Sequence, residues 1–152
     1  NIPMANLPQD FCDFLRLLNE REVRFLVVGG YAVAHHGFVR YTGGIDVWVA
    51  VDPTNATKMV ECMRDFGFDS SQASIKIFLE PGNIIRMGVE PTRIEVLTGI
   101  SGVVFEQCYD QRIETVLSDV RIPFIGLKDL RENKRAAGRD KDLLDLNNLP
   151  ED

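Results

Sequence analysis

Two glycine pairs, Gly29-Gly30 and Gly43-Gly44, each abut a short apolar run, and together they constrain how the first half of this chain can be laid out. Arg24 to Val28 (RFLVV) is apolar enough for a buried strand and stops at the first pair. Tyr31 to Gly37 then reads as a short helix, so strand, glycine turn and helix start follow in order. After the second pair, Ile45, Val47, Val49 and Val51 alternate with Asp46, Trp48, Ala50 and Asp52, a period of two that predicts a strand. Asp46 falls on the face opposite the isoleucine and valines.

The remaining pattern supplies helices on either side of this unit. Pro8 opens a segment in which Phe11, Phe14, Leu15 and Leu18 recur at helical spacing. Asp52-Pro53-Thr54 has an acceptor side chain followed by proline, which suits a helix start; the helix runs to about Phe66 and Gly67 ends it. Ser74 to Leu79, Asn83 to Val89 and Arg93 to Leu97 read as three strands of an antiparallel meander, separated by Pro81-Gly82 and Pro91-Thr92 turns. Val103 to Tyr109 reads as a short helix, with Arg112 to Val116 and Val120 to Phe124 as short extended pieces. A helical pattern resumes at Leu127 and continues, broken near Gly138, to Leu149. The expected fold class is α+β, with a mixed sheet backed by helices and a helical C-terminal segment.

With 152 residues and 45% apolar content, one domain over residues 1–152 is expected. The net charge of −6 disfavours a large nucleic-acid footprint. Cys12, Cys62 and Cys108 have neither zinc-ligand spacing nor the density of a disulfide scaffold, so buried thiols are expected. No apolar run reaches the ~18 residues of a membrane span, and the N-terminus shows no basic-then-apolar leader, so a cytoplasmic chain without membrane partners is the expectation.

Asp46 carries the first chemical suggestion, because an acid inside an apolar strand needs solvent or a partner, for which Arg40 is a candidate. Acids at positions i and i+2 of a strand emerge on one face and can bridge two metal ions, with a third acid on a neighbouring strand. Here Gly44 and Asp46 occupy the pair, and Glu95 in Arg93-Ile94-Glu95-Val96-Leu97 is the candidate third acid. Glu95 has an equally simple reading as an ion-pair partner of Arg86 or Arg93 across a hairpin. Residues 128–141 hold six basic and three acidic side chains, which leaves a net −9 on the remainder of the chain. That run reads either as a solvated helix face or as a phosphate-neutralising patch. His35 and His36 lack further zinc ligands nearby and read as packing or capping residues, and Trp48 reads as core more readily than as a base-stacking platform.

The glycine pair, Arg40-x-Thr42, Ile45-Asp46-Val47, Arg93-Ile94-Glu95-Val96-Leu97 and Lys134…Gly138-Arg139-Asp140-Lys141-Asp142 follow one another in an order that resembles a minimal bacterial nucleotidyltransferase of the DNA-polymerase-β-like superfamily, similar to the abortive-infection toxin type. The resemblance spans about residues 24–149. It implies a nucleotidyltransferase palm, binding of an NTP with Mg²⁺ or Mn²⁺, and transfer of an NMP to a hydroxyl acceptor that is RNA, protein or a small molecule. It further implies Asp46 and Glu95 as metal ligands. Gly29, Gly30, Arg40, Thr42, Lys134, Arg139 and Lys141 become nucleotide-binding positions, and a cognate partner protein is implied, as in a toxin–antitoxin pair. Two departures stand out. Gly30 replaces the common serine of the first glycine motif, and Gly44 replaces the first metal-binding aspartate. The second departure raises an alternative: a catalytically inactive domain that keeps nucleotide binding or a protein contact.

Overall fold

The computed structural model describes residues 6–68 and 74–151. Helix α1 (Gln9–Glu20) leads into strand β1 (Phe25–Val28), which runs directly into helix α2 (Gly29–His35) and on to strand β2 (Gly44–Val49). Helices α3 (Pro53–Phe66) and α4 (Ile75–Leu79) precede strands β3 (Ile84–Met87) and β4 (Arg93–Leu97). Helix α5 (Phe105–Asp110), strands β5 (Ile113–Leu117) and β6 (Val120–Phe124), and helices α6 (Leu127–Ala137) and α7 (Asp140–Asn148) complete the order. The strands form one mixed sheet in the order β3-β4-β2-β1-β6-β5. Strands β2 and β4 run parallel, as do β1 and β6, and the other neighbours are antiparallel.

Alternation along the strands sorts the sheet into a core face and an open face. In β2, Ile45 and Val47 are buried; in β4, Ile94 and Val96; in β3, Ile85 and Met87. The residues between them, including Asp46, Glu95 and Arg86, emerge on the other side. Phe11, Phe14, Leu15 and Leu18 of α1 join the same buried cluster, and α1 packs on α3 and β6. At the start of α3, Asp52 Oδ1 accepts the Asn55 backbone N–H at 2.8 Å and Pro53 takes the first helical position. Gly67, with φ +94°, ends the helix in the left-handed conformation that glycine adopts without a Cβ clash.

The structure corrects two local readings. Ile75–Leu79, expected as part of a strand, is helix α4, closed at its start by the Ile77 N–H to Ser74 O bond at 3.1 Å. Five apolar-rich residues do not distinguish the two periodicities, and a single buried residue, Phe78, anchors the turn. The expected three-strand meander is therefore a β3–β4 hairpin. Gly29-Gly30, expected as a turn before a helix, opens α2 itself.

Candidate functional site

One row of side chains crosses the open face of the sheet. Val28, Asp46, Glu95 and Arg86 lie in register on β1, β2, β4 and β3. The carboxyls of Asp46 and Glu95 stand side by side in this row. Burial, then the charge and the hydrogen bond of Glu95, push Asp46 up to about 7, against the opposing pull of Lys134 and Lys141. Two acids in contact cannot both ionise cheaply, which adds to the rise at Asp46. The expected Arg40 partner is not the one Asp46 has. Arg40 is held elsewhere, and Glu95 takes that place.

The Asp46 carboxylate lies directly on the first glycine pair. A Cβ built on Gly29 falls 2.0 Å from Asp46 Oδ2, and Gly29 has φ +67°, so both space and backbone require glycine. Gly44 is constrained differently: its Cβ would lie 1.9 Å from the Arg93 carbonyl oxygen. Thr42 Oγ1 also donates to the Gly44 carbonyl at 2.9 Å. Backbone of β4 thus fills the space that a side chain at position 44 needs. Among the described residues no cluster of three His, Cys, Asp or Glu side chains is placed to hold a metal ion. Asp46 and Glu95 are the two carboxylates of the row.

Asp46 and Glu95 open into a cleft of about 980 Å³ that also exposes Gly29, Gly30, Arg40, Thr42 and Gly44 from the first half of the chain. Lys134, Arg139 and Lys141 reach the same cleft from α6 and α7. The sequence motifs, far apart in the chain, converge because β2 and β4 are adjacent and α6–α7 closes over them. Six basic side chains (Arg40, Arg86, Arg93, Lys134, Arg139, Lys141) and four acidic ones (Asp46, Glu90, Glu95, Asp142) line it. The cleft is thus net positive in a chain of net charge −6.

The cations differ in how they are held. Arg40 makes two 2.6 Å bonds to Asp145, and Lys134 lies 3.0 Å from Asp145 and 3.3 Å from Asp142. Asp145 is fully buried, Asp142 and Lys134 nearly so. Burial alone would raise both aspartates, but the bonds from Arg40 and Lys134 to Asp145, and from Arg139 and Lys134 to Asp142, hold them below the ordinary value. Arg139 donates its Nε at 2.7 Å and its backbone N–H at 3.2 Å to Asp142 Oδ2, which closes the start of α7. Lys141 has no ion pair among the described residues. Asp145 was not singled out from sequence; the signal was the acid spacing Asp142-x-x-Asp145, which puts both carboxylates on one helix face beneath the basic run.

Other readings of single residues resolve as packing. Trp48 is buried edge-on against Phe105 at 5.1 Å, so it offers no face to a base. His35 stacks on Phe124 at 4.3 Å, and His36 Nε2 meets the Ile125 carbonyl at 2.8 Å. The three cysteines are buried and free.

With this geometry in hand, the fold can be compared with solved structures. The chain superposes on the crystal structure of the lincosamide antibiotic adenylyltransferase LnuA, lincomycin-bound, with a TM-score of 0.55 over 95% of this chain and 96% of that one, at 16% sequence identity. The chain has a nucleotidyltransferase fold. No family model and no curated protein matches it. In this nucleotidyltransferase fold the paired acids occupy two adjacent parallel strands at the centre of the cleft floor. No helix among the described residues is long and apolar enough to cross a membrane.

Proposed function

We propose that the cleft binds a nucleoside triphosphate together with one Mg²⁺ or Mn²⁺ ion and transfers its nucleotidyl group to a hydroxyl acceptor. The observation that carries this reading is the Asp46–Glu95 pair: two carboxyls side by side on the floor of a basic cleft, with Asp46 pushed up to about 7 by burial and by Glu95. Such a pair is costly in isolation and gains from a cation. Two oxygen-donor side chains suit Mg²⁺, which commonly takes one or two protein carboxylates and completes its shell with phosphate and water. They do not suit a two-ion clamp. When bound, the ion neutralises charge on the reacting phosphate and on the departing pyrophosphate.

The chain's own residues do the rest. Asp46 and Glu95 would hold the ion. Gly29 and Gly30, without side chains, leave room for the Asp46 carboxylate and for Thr42 at the cleft floor, and Lys141 meets the charge of the phosphates. Arg40, Lys134 and Arg139, fixed by Asp142 and Asp145, give that wall a stable positive field. The reaction forms a bond from the acceptor oxygen to the α-phosphorus, breaks the α–β bridge, and releases pyrophosphate and a proton. The solved neighbour is a lincosamide antibiotic adenylyltransferase, which puts ATP and a small-molecule acceptor first among those to test, ahead of RNA or a protein side chain. The acidic remainder of the chain points the same way.

A second reading, a nucleotide-binding domain without transferase activity, is favoured by one feature: position 44 has no room for the missing carboxylate. Transfer of label from each α-labelled NTP to acceptor panels and cell extract separates the two. Label transfer that falls by about a hundredfold or more in Asp46→Asn supports the enzyme. Metal-dependent nucleotide binding without transfer to any acceptor supports the second reading. Absence of both removes the two together.

A further inference from the structure

The row that holds Asp46 and Glu95 ends in a guanidinium, and a second guanidinium stands beside it. Arg86 Nε is 2.9 Å from Glu95 Oε2 and Arg93 Nε is 3.3 Å from the same oxygen. Arg93 is the residue paired in register with Gly44. In this register a glycine stands opposite an arginine. The Arg93 backbone occupies the space of a side chain at position 44, and its guanidinium lies over the neighbouring Glu95.

Arg93 is also loosely held for an arginine in this position. Its side chain is about a third exposed, and its one hydrogen bond is a 3.3 Å contact from Nη2 to Glu90 Oε2. Nε is buried and, although close to Glu95, is not aimed to hydrogen-bond it. A guanidinium has five N–H donors in a planar fork that matches phosphate, so most of the donor capacity of Arg93 remains open. Arg40 and Arg139 contrast with it, since each grips a buried aspartate through two bonds.

We propose that Arg93, assisted by Arg86, supplies the positive charge that a second metal ion would bring, so that the centre works with one ion and a guanidinium clamp on the triphosphate. This rests on the reading of the cleft as an NTP site. Gly44 brings no carboxylate to the floor and Arg93, its register partner, brings a cation, so the local charge favours an anionic ligand with fewer metal ions. Arg93 touches Glu95 from the side that Gly44 leaves without an acid, and Arg86 touches it from the sheet edge.

Two measurements on the intact chain test this. Mn²⁺ is counted by electron paramagnetic resonance in the presence of each NTP carrying a non-hydrolysable α–β bridge, and binding of the same analogues is measured by calorimetry with Mn²⁺ and, separately, in EDTA. The wild type is expected to hold one Mn²⁺ per chain with nucleotide bound. Arg93→Gln is expected to weaken nucleotide binding in EDTA by about tenfold, the worth of one charge-assisted hydrogen bond, while Arg93→Lys recovers part of it. Arg86→Gln, at the exposed sheet edge, is expected to show a smaller loss and gives the same reading if Arg93→Gln does not fold. Two Mn²⁺ per chain in the wild type, or unchanged EDTA affinity in both glutamine variants, overturns the guanidinium clamp while leaving the NTP site intact. No binding of any analogue by the wild type overturns the clamp and the site alike.

Discussion

The wall built by α6 and α7 and the floor built by β2, β3 and β4 carry charges of both signs, yet their charges are in different states. On the wall, Arg40, Lys134 and Arg139 are matched by Asp142 and Asp145, which lie below their ordinary proton affinity. On the floor, Asp46 faces another acid and is pushed up to about 7. A buried network with every charge paired is architecture: it fixes the helices and the direction of the field. A half-buried pair of acids is costly to the fold, and proteins retain such pairs where a ligand relieves them. The comparison assigns stability to one side of the cleft and binding to the other.

That division is open to attack first at Asp145. Asp145→Ala strands Arg40 and Lys134 without their buried partner, and a loss of about 3–5 kcal/mol in chemical denaturation is expected. Gly44→Ala comes next, because its Cβ meets the Arg93 carbonyl and the β2–β4 pairing must shift. About 1–3 kcal/mol is expected from that overpacking, and Gly44→Asp is expected to share the cost without gaining transfer.

Acidity separates wall from floor directly. Asp46 has its affinity for a proton raised in the folded state, so the metal-free fold binds more protons than the unfolded chain between the ordinary value of 3.8 and about 7, and its stability rises as pH falls through that window. Asp142 and Asp145 have the opposite sign, and their contribution is present above 3.8 and lost as pH falls below it. Melting temperature in EDTA is therefore expected to climb from about pH 8 to about pH 5 and to drop in stronger acid. Asp46→Asn is expected to remove the climb and keep the drop. The smallest effect belongs to Arg139→Gln: an exposed guanidinium on the rim is worth less than about 1 kcal/mol to stability.

The helix from Pro53 to Phe66 was legible in the sequence at both ends because its signals, Asp52-Pro53 and Gly67, act locally through one side-chain bond and one backbone angle. The strand character of 45–49 and 93–97 was legible because alternation survives wherever one face of a sheet is buried. Segment 75–79 was not, since five residues with one buried anchor carry too little period to separate helix from strand. At the site, the residues of interest could be named in order, and so could the ion pairing of Glu95 with Arg86 and Arg93, but the longer-range contacts could not. Arg40 was paired on paper with Asp46, its neighbour along the chain, whereas it bonds Asp145, more than a hundred residues later. The demands on Gly29 and Gly44 come from Asp46 and from the Arg93 backbone, contacts that exist only once β2 is flanked by β1 and β4.

Asp46→Asn, read simultaneously for folding and for binding, bears most directly on the division between a stable wall and a binding floor. The expected result is a variant that unfolds at the same or a higher denaturant concentration than the wild type at neutral pH in EDTA, yet no longer binds Mn²⁺ with nucleotide. A variant that is less stable than the wild type, or one that binds Mn²⁺ and nucleotide as the wild type does, contradicts it.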